Sequence, residues 1–313
     1  MSEKGRRIAY QGLAVAAAGA LAWFLISNTA TNLEARRIAT GFGFLGREAG
    51  FEIGESFFLR YSASDSYLRA LAVGVVNTLA ISAMGIVLAS VLGTAVGLLR
   101  LAANAVLRSV AATYVEFVRN VPLLVQLFFW YAVITEALPP PRAALAPLPG
   151  VFLTNRGIYL PTFSGVPALQ GFNFSGGASL SPEFAALLIG VVVYTAAFIA
   201  EIVRAGVLSV PRGQSDAGRA IGLTAFQNTR SVVLPQALRA IVPPLASQYL
   251  NLTKNSSLAV AIGYPDLVSI ANTTINQTGQ AIEGVALIMA VYLTISLAIS
   301  ALMNWYNARI LFQ

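Results

Sequence analysis

The stretch "SDAGRAIGLTAFQNTRSVVLPQALR", residues 215–239, decides how this chain is organised. It carries three arginines and one aspartate, and an apolar run lies on each side of it. A run of about 20 apolar residues is long enough to cross a hydrocarbon core of about 30 Å. The polar stretch is therefore predicted to be a connector outside the bilayer, between two segments that span it.

The composition places the whole chain in a membrane. Of its 313 residues, 57% are hydrophobic and only 11% are charged, and the mean hydropathy is +0.71. The sequence has no cysteine and no histidine, so it lacks thiolate chemistry and the commonest metal ligand. Neither of its two lysines, Lys4 and Lys254, follows a glycine-rich phosphate-binding loop. We therefore predict a polytopic membrane protein with no metal site, no cofactor and no P-loop ATPase of its own.

The apolar runs predict an all-α fold with six transmembrane helices. These are residues 8–27, 70–99, a segment that starts around Pro122, and residues 184–203, 241–263 and 284–303. Residues 28–69 are too polar to span. Residues 139–182 hold eight of the 14 prolines and predict a long loop.

The distribution of charge predicts the orientation. With six spans, the two termini, residues 100–108 and residues 204–240 share one side, which holds eleven basic and two acidic residues. The opposite side holds seven basic and nine acidic residues. Because basic residues favour cytoplasmic loops, both termini and the connector are predicted to be cytoplasmic. This bias accounts for the net charge of +7, and no nucleic-acid partner is needed to explain it.

The connector itself predicts two short helices. Pro211 and Gly213 should break the helix of the fourth span, and a new helix should begin near Ser215 or Asp216. Gly222 is placed to end that helix. A second, amphipathic helix should run from about Thr224 and carry Val232, Val233 and Leu234 to Pro235. An ordinary connector would also explain this much.

The spacing within the connector resembles a loop of the permease subunits of ABC importers. That loop has Glu-Ala-Ala, three residues, Gly, nine residues, a branched aliphatic residue, one residue and Leu-Pro. The matching positions here are Asp216, Ala217, Gly218, Gly222, Val232, Leu234 and Pro235. The resemblance departs at Asp216 and at Gly218, and a glycine should weaken a helix by about 0.5–1 kcal/mol relative to alanine.

In that family the loop docks into a separate ATP-hydrolysing subunit. The resemblance assigns docking to Arg212, Gly213, Ser215, Asp216, Ala217, Gly218, Gly222, Leu223, Leu234 and Pro235. It implies that this chain is non-catalytic, and that ATP and Mg²⁺ are bound by the partner.

Further motifs resemble the branch that imports polar amino acids of the histidine, glutamine and arginine type. They are "YVEFVRNVPLLVQLFF", "FIAEIVRAGVLSVPRGQ", "VLPQALRAIVPPL" and "NLTKNSSLAVAIGYPDL". The similarity covers about residues 70–313, which would form a type I importer core of five spans with its docking loop at about 204–240. Residues 1–69, an added helix and an external segment, look like those of enlarged permeases of general L-amino acid importers.

The resemblance also implies the setting and the partners. The setting is a bacterial inner membrane, where the chain contacts lipid. The implied partners are a second permease, identical or different, two ABC ATPases, an external substrate-binding protein and an amino-acid substrate. The external segment could serve to dock the binding protein.

Two sets of polar or aromatic residues are candidates for the translocation path. Gln248, Asn251, Lys254 and Asn255 fall within an arc of about 120° on the fifth span. Such a face could line the path or bond to another helix across a dimer interface.

The second set lies on the fourth span. Tyr194, Phe198 and Glu201 share one face there, and a carboxylate with an aromatic neighbour could receive an ammonium group. The alternative is that Glu201 simply pairs with Arg204.

A rival function is an ion-coupled secondary transporter or channel. Such proteins more often show internal repeats or several acidic residues inside the membrane. Here no repeat is evident, and Glu201 is the one carboxylate predicted within a span.

Overall fold

A computed structural model of the chain describes residues 3–35, 40–56, 58–163 and 165–311. Helices dominate these ranges. In chain order they are α1 (Glu3–Ala35), α2 (Tyr67–Leu99), α3 (Ala105–Asn120), α4 (Leu123–Ala132), α5 (Pro182–Leu208), α6 (Arg212–Ala220), α7 (Ala225–Asn228), α8 (Leu234–Asn255), α9 (Leu267–Thr278) and α10 (Ala281–Leu311).

The number of spans depends on how two bent helix pairs are counted. Within the described residues, four segments are long and apolar enough to span alone: Ala9–Ala35, Tyr67–Leu99, Pro182–Leu208 and Ala281–Arg309. Two further pairs of helices qualify only if each bent pair is counted as one span. Ala105–Asn120 and Leu123–Ala137 are bent by 104° relative to each other, and Ala225–Ile262 and Leu267–Thr278 by 53°. The predicted six spans are therefore the upper bound of four to six.

The predicted long loop at residues 139–182 is wrong in one respect, because it contains β-strands. β1 (Leu145–Leu148), β2 (Val151–Thr154), β3 (Gly157–Leu160) and β6 (Ala178–Leu180) form an antiparallel sheet in the order β1-β2-β3-β6, and β4 (Ala168–Gln170) pairs with β5 (Asn173–Ser175). Glycines at positive φ, such as Gly150 between β1 and β2, close the turns. Some of the glycines that suggested a loop therefore lie in hairpin turns, whereas Pro147 lies within β1 and Pro182 begins α5.

The core of the molecule is the crossing of α2 and α5, which two glycines make possible. A Cβ at Gly93 would lie 2.6 Å from the Cβ of Ile199 and 2.8 Å from the carbonyl oxygen of Ala196. At Gly97 it would lie 2.8 Å from the carbonyl oxygen of Ala200. This small-xxx-small spacing lets helix backbones approach closely in a membrane.

Replacing Gly93 by leucine is expected to force α2 away from α5. Overpacking of this kind lowers the free energy of unfolding by about 1–3 kcal/mol, so the thermal midpoint of the purified protein in detergent should fall. Gly19→Leu in α1 is the matched control, because its Cβ would meet nothing within 4 Å. Equal midpoints for the two variants would contradict this account of the crossing.

The polar segment after α1 packs against the rest of the chain. Phe44 is buried and makes an edge contact with Tyr67 at the start of α2, where α9 and α10 also contribute to the apolar cluster. The Gly41 N–H donates to Glu283 Oε1, and Gln280 Nε2 donates to the Gly41 carbonyl. None of the described residues in the most apolar window of α1 is buried.

Candidate functional site

The connector between α5 and α8 begins with α6, which ends where the sequence predicted. Gly222 has φ +86°, and its N–H donates to the Arg219 carbonyl at 3.0 Å. The Leu223 N–H donates to the Gly218 carbonyl at 3.1 Å. Together these bonds are a Schellman motif, which needs a left-handed residue after the helix and so favours glycine.

The start of α6 differs from the prediction. The helix begins at Arg212, directly after Pro211, whose φ is −59°. Ser215 and Asp216 therefore lie inside the helix rather than at its first residue. Gly213 lies inside α6 and does not interrupt it, because a single glycine in an exposed helix lowers the helix stability by only about 1 kcal/mol.

Gly218 has a packing role that its low helix propensity does not reveal. It is buried, and a Cβ there would collide with the Asn228 side chain of α7. Asn228 Nδ2 donates to the Ser215 carbonyl at 3.0 Å and to Ser215 Oγ at 2.8 Å. The missing methyl group thus allows α6 and α7 to be held together as one unit.

We expect Gly218→Ala and Asn228→Ala to be strongly non-additive. Alanine at 218 introduces a clash, with a loss of about 1–3 kcal/mol, and alanine at 228 removes two hydrogen bonds of about 1 kcal/mol each. The double variant should lose less stability than the two single variants together, because shortening Asn228 removes the clash. A double-mutant cycle on unfolding in detergent measures this, and simple additivity would contradict the packing account.

The second half of the connector is continuous with a membrane helix. A Thr224–Gln227 capping box starts α7, and a π-helical turn, Thr229–Val233, joins it to α8. The wider π turn directly precedes Pro235, which has no N–H to donate. The helix therefore passes Pro235 without ending.

The structure shows which predicted docking residues are accessible. Gly218 is buried, and Ser215 and Leu223 are half-buried. The others are exposed: Arg212, Gly213, Asp216, Ala217, Gly222, Leu234 and Pro235.

Two accessible side chains escaped the sequence analysis. Ile221 is 79% exposed and Phe226 is 71% exposed, on either side of Gly222. Large apolar side chains on a polar connector are the signal that could have revealed them.

The candidate set on α5 is engaged within the chain. Glu201 accepts from Arg204 at 2.6 Å and from Arg100 at the end of α2. The guanidinium of Arg119 lies 5.0 Å from the ring centroid of Phe198, which in turn contacts the Tyr194 ring. Of the two alternatives for Glu201, the structure thus has the ion pair, with a second arginine that the sequence analysis did not connect to it.

The candidate set on α8 lies on the side of that helix that is not packed against α2. On the packed side of α8, Leu252 is buried, and Tyr249 Oη lies 2.9 Å from Ser90 Oγ of α2. Asn251 and Lys254 are exposed, while Gln248 and Asn255 are half-buried. The described parts of the chain leave this polar face uncovered.

Solved structures define the class of this fold. A chain from a structure described as an amino acid ABC transporter with histidines has a TM-score of 0.59 and 25% identity, covering 78% of this chain and 95% of that chain. A chain of the MetNI methionine ABC transporter in an inward-facing conformation has a TM-score of 0.57 at 22% identity, covering 78% and 97%. The fold is that of an ABC importer permease.

Residues 85–312 match the family described as the inner membrane component of binding-protein-dependent transport systems, and the chain belongs to this family. It is a multi-pass inner membrane protein. The ABC transporter permease YhdX of Escherichia coli (strain K12) is 45% identical over 366 aligned residues, covering 96% of this chain and 93% of the relative.

Two further relatives carry more specific names. AapQ of Rhizobium johnstonii, a general L-amino acid transport system permease protein, is 39% identical, with 98% of this chain and 92% of the relative covered. BztB of Rhodobacter capsulatus, a glutamate/glutamine/aspartate/asparagine transport system permease protein, is 35% identical, with 93% and 90% covered.

Proposed function

We propose that this chain is the membrane-spanning subunit of an ATP-driven importer of polar or general L-amino acids. The observation that carries the proposal is the connector, a unit of α6 and α7 that exposes Ile221 and Phe226. Exposed apolar patches rimmed by polar residues mark protein contacts, and we infer that Ile221 and Phe226 belong to such a patch. The names of AapQ and BztB support amino acids as the substrate.

The partners follow from this role. Two ATPase subunits, which bind ATP and Mg²⁺, dock on the connectors of this chain and of a second permease. An external binding protein delivers the amino acid, and lipid surrounds the assembly. The excess of basic residues on the side that holds the connector supports a cytoplasmic location for it and for both termini.

The chain contributes movement rather than chemistry. Closure of the ATPases displaces residues 215–223 as a rigid unit, and the spans switch between outward-facing and inward-facing states. Residues 70–313 form the moving core, while residues 1–69 add a helix and an external segment. The exposed polar face of α8 then lines the path near the second permease.

Uptake by the reconstituted complex tests the proposal. Proteoliposomes that contain the permease, its ATPase and its binding protein should accumulate radiolabelled L-glutamine only when ATP is supplied. Omission of the binding protein should reduce uptake to background. Uptake driven by an ion gradient without ATP would instead establish the secondary transporter.

A further inference from the structure

A cleft lies at the end of α5 that is far from the connector. It has a volume of about 460 Å³ and lies between the segment 51–55, the first turn of α5 and the first turn of α9. Because α5 has 27 residues, this end is about 40 Å from the connector. The cleft therefore opens on the side opposite the proposed ATPase contact.

The lining of this cleft is acidic. Glu52, Glu55 and Glu183 line it together with Ser269 and Thr273, and Glu183 Oε1 accepts a hydrogen bond from Tyr131 Oη at 3.1 Å. No lysine or arginine occurs among the described residues that line it. Such a lining favours a positively charged ligand.

Glu55 provides a second, independent observation. The residue lines the cleft and is only 4% exposed. Oε1 accepts from the Ser181 N–H at 3.4 Å, but Oε2 is buried with no hydrogen-bond partner in the described chain. Buried oxygens without a partner are rare because desolvation is costly. Burial also raises the pKa of the Glu55 carboxyl, because desolvation disfavours its charged form. A bound positive group would stabilise that charged form.

The position of Glu55 is fixed by hydrogen bonds from α2. Asn77 Nδ2 donates to the Glu55 carbonyl and to the Pro265 carbonyl, each at 2.9 Å. The buried Asn77 side chain thus connects the segment that carries Glu55 to the residues just before α9. The cleft is held in shape before any ligand arrives, which lowers the entropy cost of binding.

We propose that this cleft binds the ammonium group of an amino acid as it enters the permease. The inference rests on the proposed function and orientation. An ammonium group can donate three hydrogen bonds, so it can bind the Glu55 carboxylate and a second carboxylate at the same time. A divalent metal ion fits less well, since the described residues contain no group of three or more His, Cys, Asp or Glu side chains that could hold one.

Equilibrium binding of radiolabelled L-glutamine tests the inference. The permease is reconstituted with its ATPase in lipid nanodiscs without the binding protein. Wild type should bind L-glutamine, and N-acetyl-L-glutamine, which has no ammonium group, should not compete. Glu55→Gln should raise the Kd about tenfold or more, since hydrogen bonds to charged groups are strong. Glu48→Gln is the matched control, because Glu48 is exposed on the same segment outside the cleft, and its Kd should not change.

Several results would overturn the inference. They are absence of L-glutamine binding to wild type, equal competition by the acetylated compound, an equal effect of Glu48→Gln, and displacement of the amino acid by sodium ion. If Glu55→Gln fails to assemble, as judged by thermal melting of the complex, Glu183→Gln takes its place with the same expectation. The same purified wild-type complex is also reconstituted in proteoliposomes with the binding protein, and ATP-driven uptake is measured there. Loss of that uptake would count against the proposed function, whereas its persistence would isolate a failure of the cleft.

Discussion

Replacement of Phe226 by aspartate is expected to abolish ATP-driven uptake while the chain still inserts into the membrane. The Phe226 side chain is 71% exposed on α7, so the substitution removes little packing from the chain itself. Buried aromatic anchors at protein interfaces commonly contribute 2 kcal/mol or more, so affinity for the ATPase should fall at least about 30-fold. Aspartate adds an unpaired charge to that contact.

Co-purification of the ATPase with the tagged permease is the measurement. Phe226→Leu should retain much of the binding, because it keeps an apolar side chain. Phe172→Asp is the matched control, since that phenylalanine is 72% exposed in the strand-containing segment far from the connector, and ATPase binding should persist. Normal ATPase recovery with Phe226→Asp would show that this side chain is not part of the contact.

Glu201→Gln is expected to destabilise the permease substantially. The carboxylate pairs with both Arg100, just after α2, and Arg204 of its own helix. Its loss leaves two guanidinium groups without a partner in a partly buried position. Because the three side chains retain some exposure, we expect about 2 kcal/mol rather than the 3–5 kcal/mol of a fully buried pair. The thermal midpoint of the purified protein should fall.

A second substitution separates structure from substrate binding at Glu201. Arg100→Gln combined with Glu201→Gln removes one charge of each sign, and the remaining Arg204 can turn toward solvent. The double variant should therefore recover part of the thermal stability and part of the uptake. A double variant that is stable yet has no uptake would indicate instead that the Glu201 carboxylate contacts the amino acid.

The apolar helices could be predicted well because a run of about 20 apolar residues is typical of a transmembrane helix. The sequence analysis missed α9, whose Asn, Thr and Gln residues interrupt the apolar pattern, and it placed a loop where short strands alternate with tight turns. Strand pairing depends on cross-strand partners, and none of these stretches exceeds four residues. Local patterns of that length carry little information.

The end of α6 was predicted because its determinants are local: the left-handed Gly222 depends on neighbouring residues. The start of α6 at Arg212 was not predicted, since Ser215 and Asp216 were expected to begin it. The ion pair of Arg100 with Glu201 joins residues 101 positions apart, and the fit of Gly218 against Asn228 depends on how two helices meet. Glu55 likewise reaches Ser181 only through the fold. Such contacts follow from tertiary packing, which spacing alone does not specify.

The helical path from Ala225 to Asn255 is unbroken and joins the connector directly to a membrane helix. Its α7, π-helical and α8 portions together measure about 46 Å at 1.5 Å per residue. Movement of Phe226 would therefore be carried toward Lys254 along continuous helix, with no loop between them. Pro243 and Pro244 lie inside α8 and remove two backbone donors, and such positions are where a helix bends most readily.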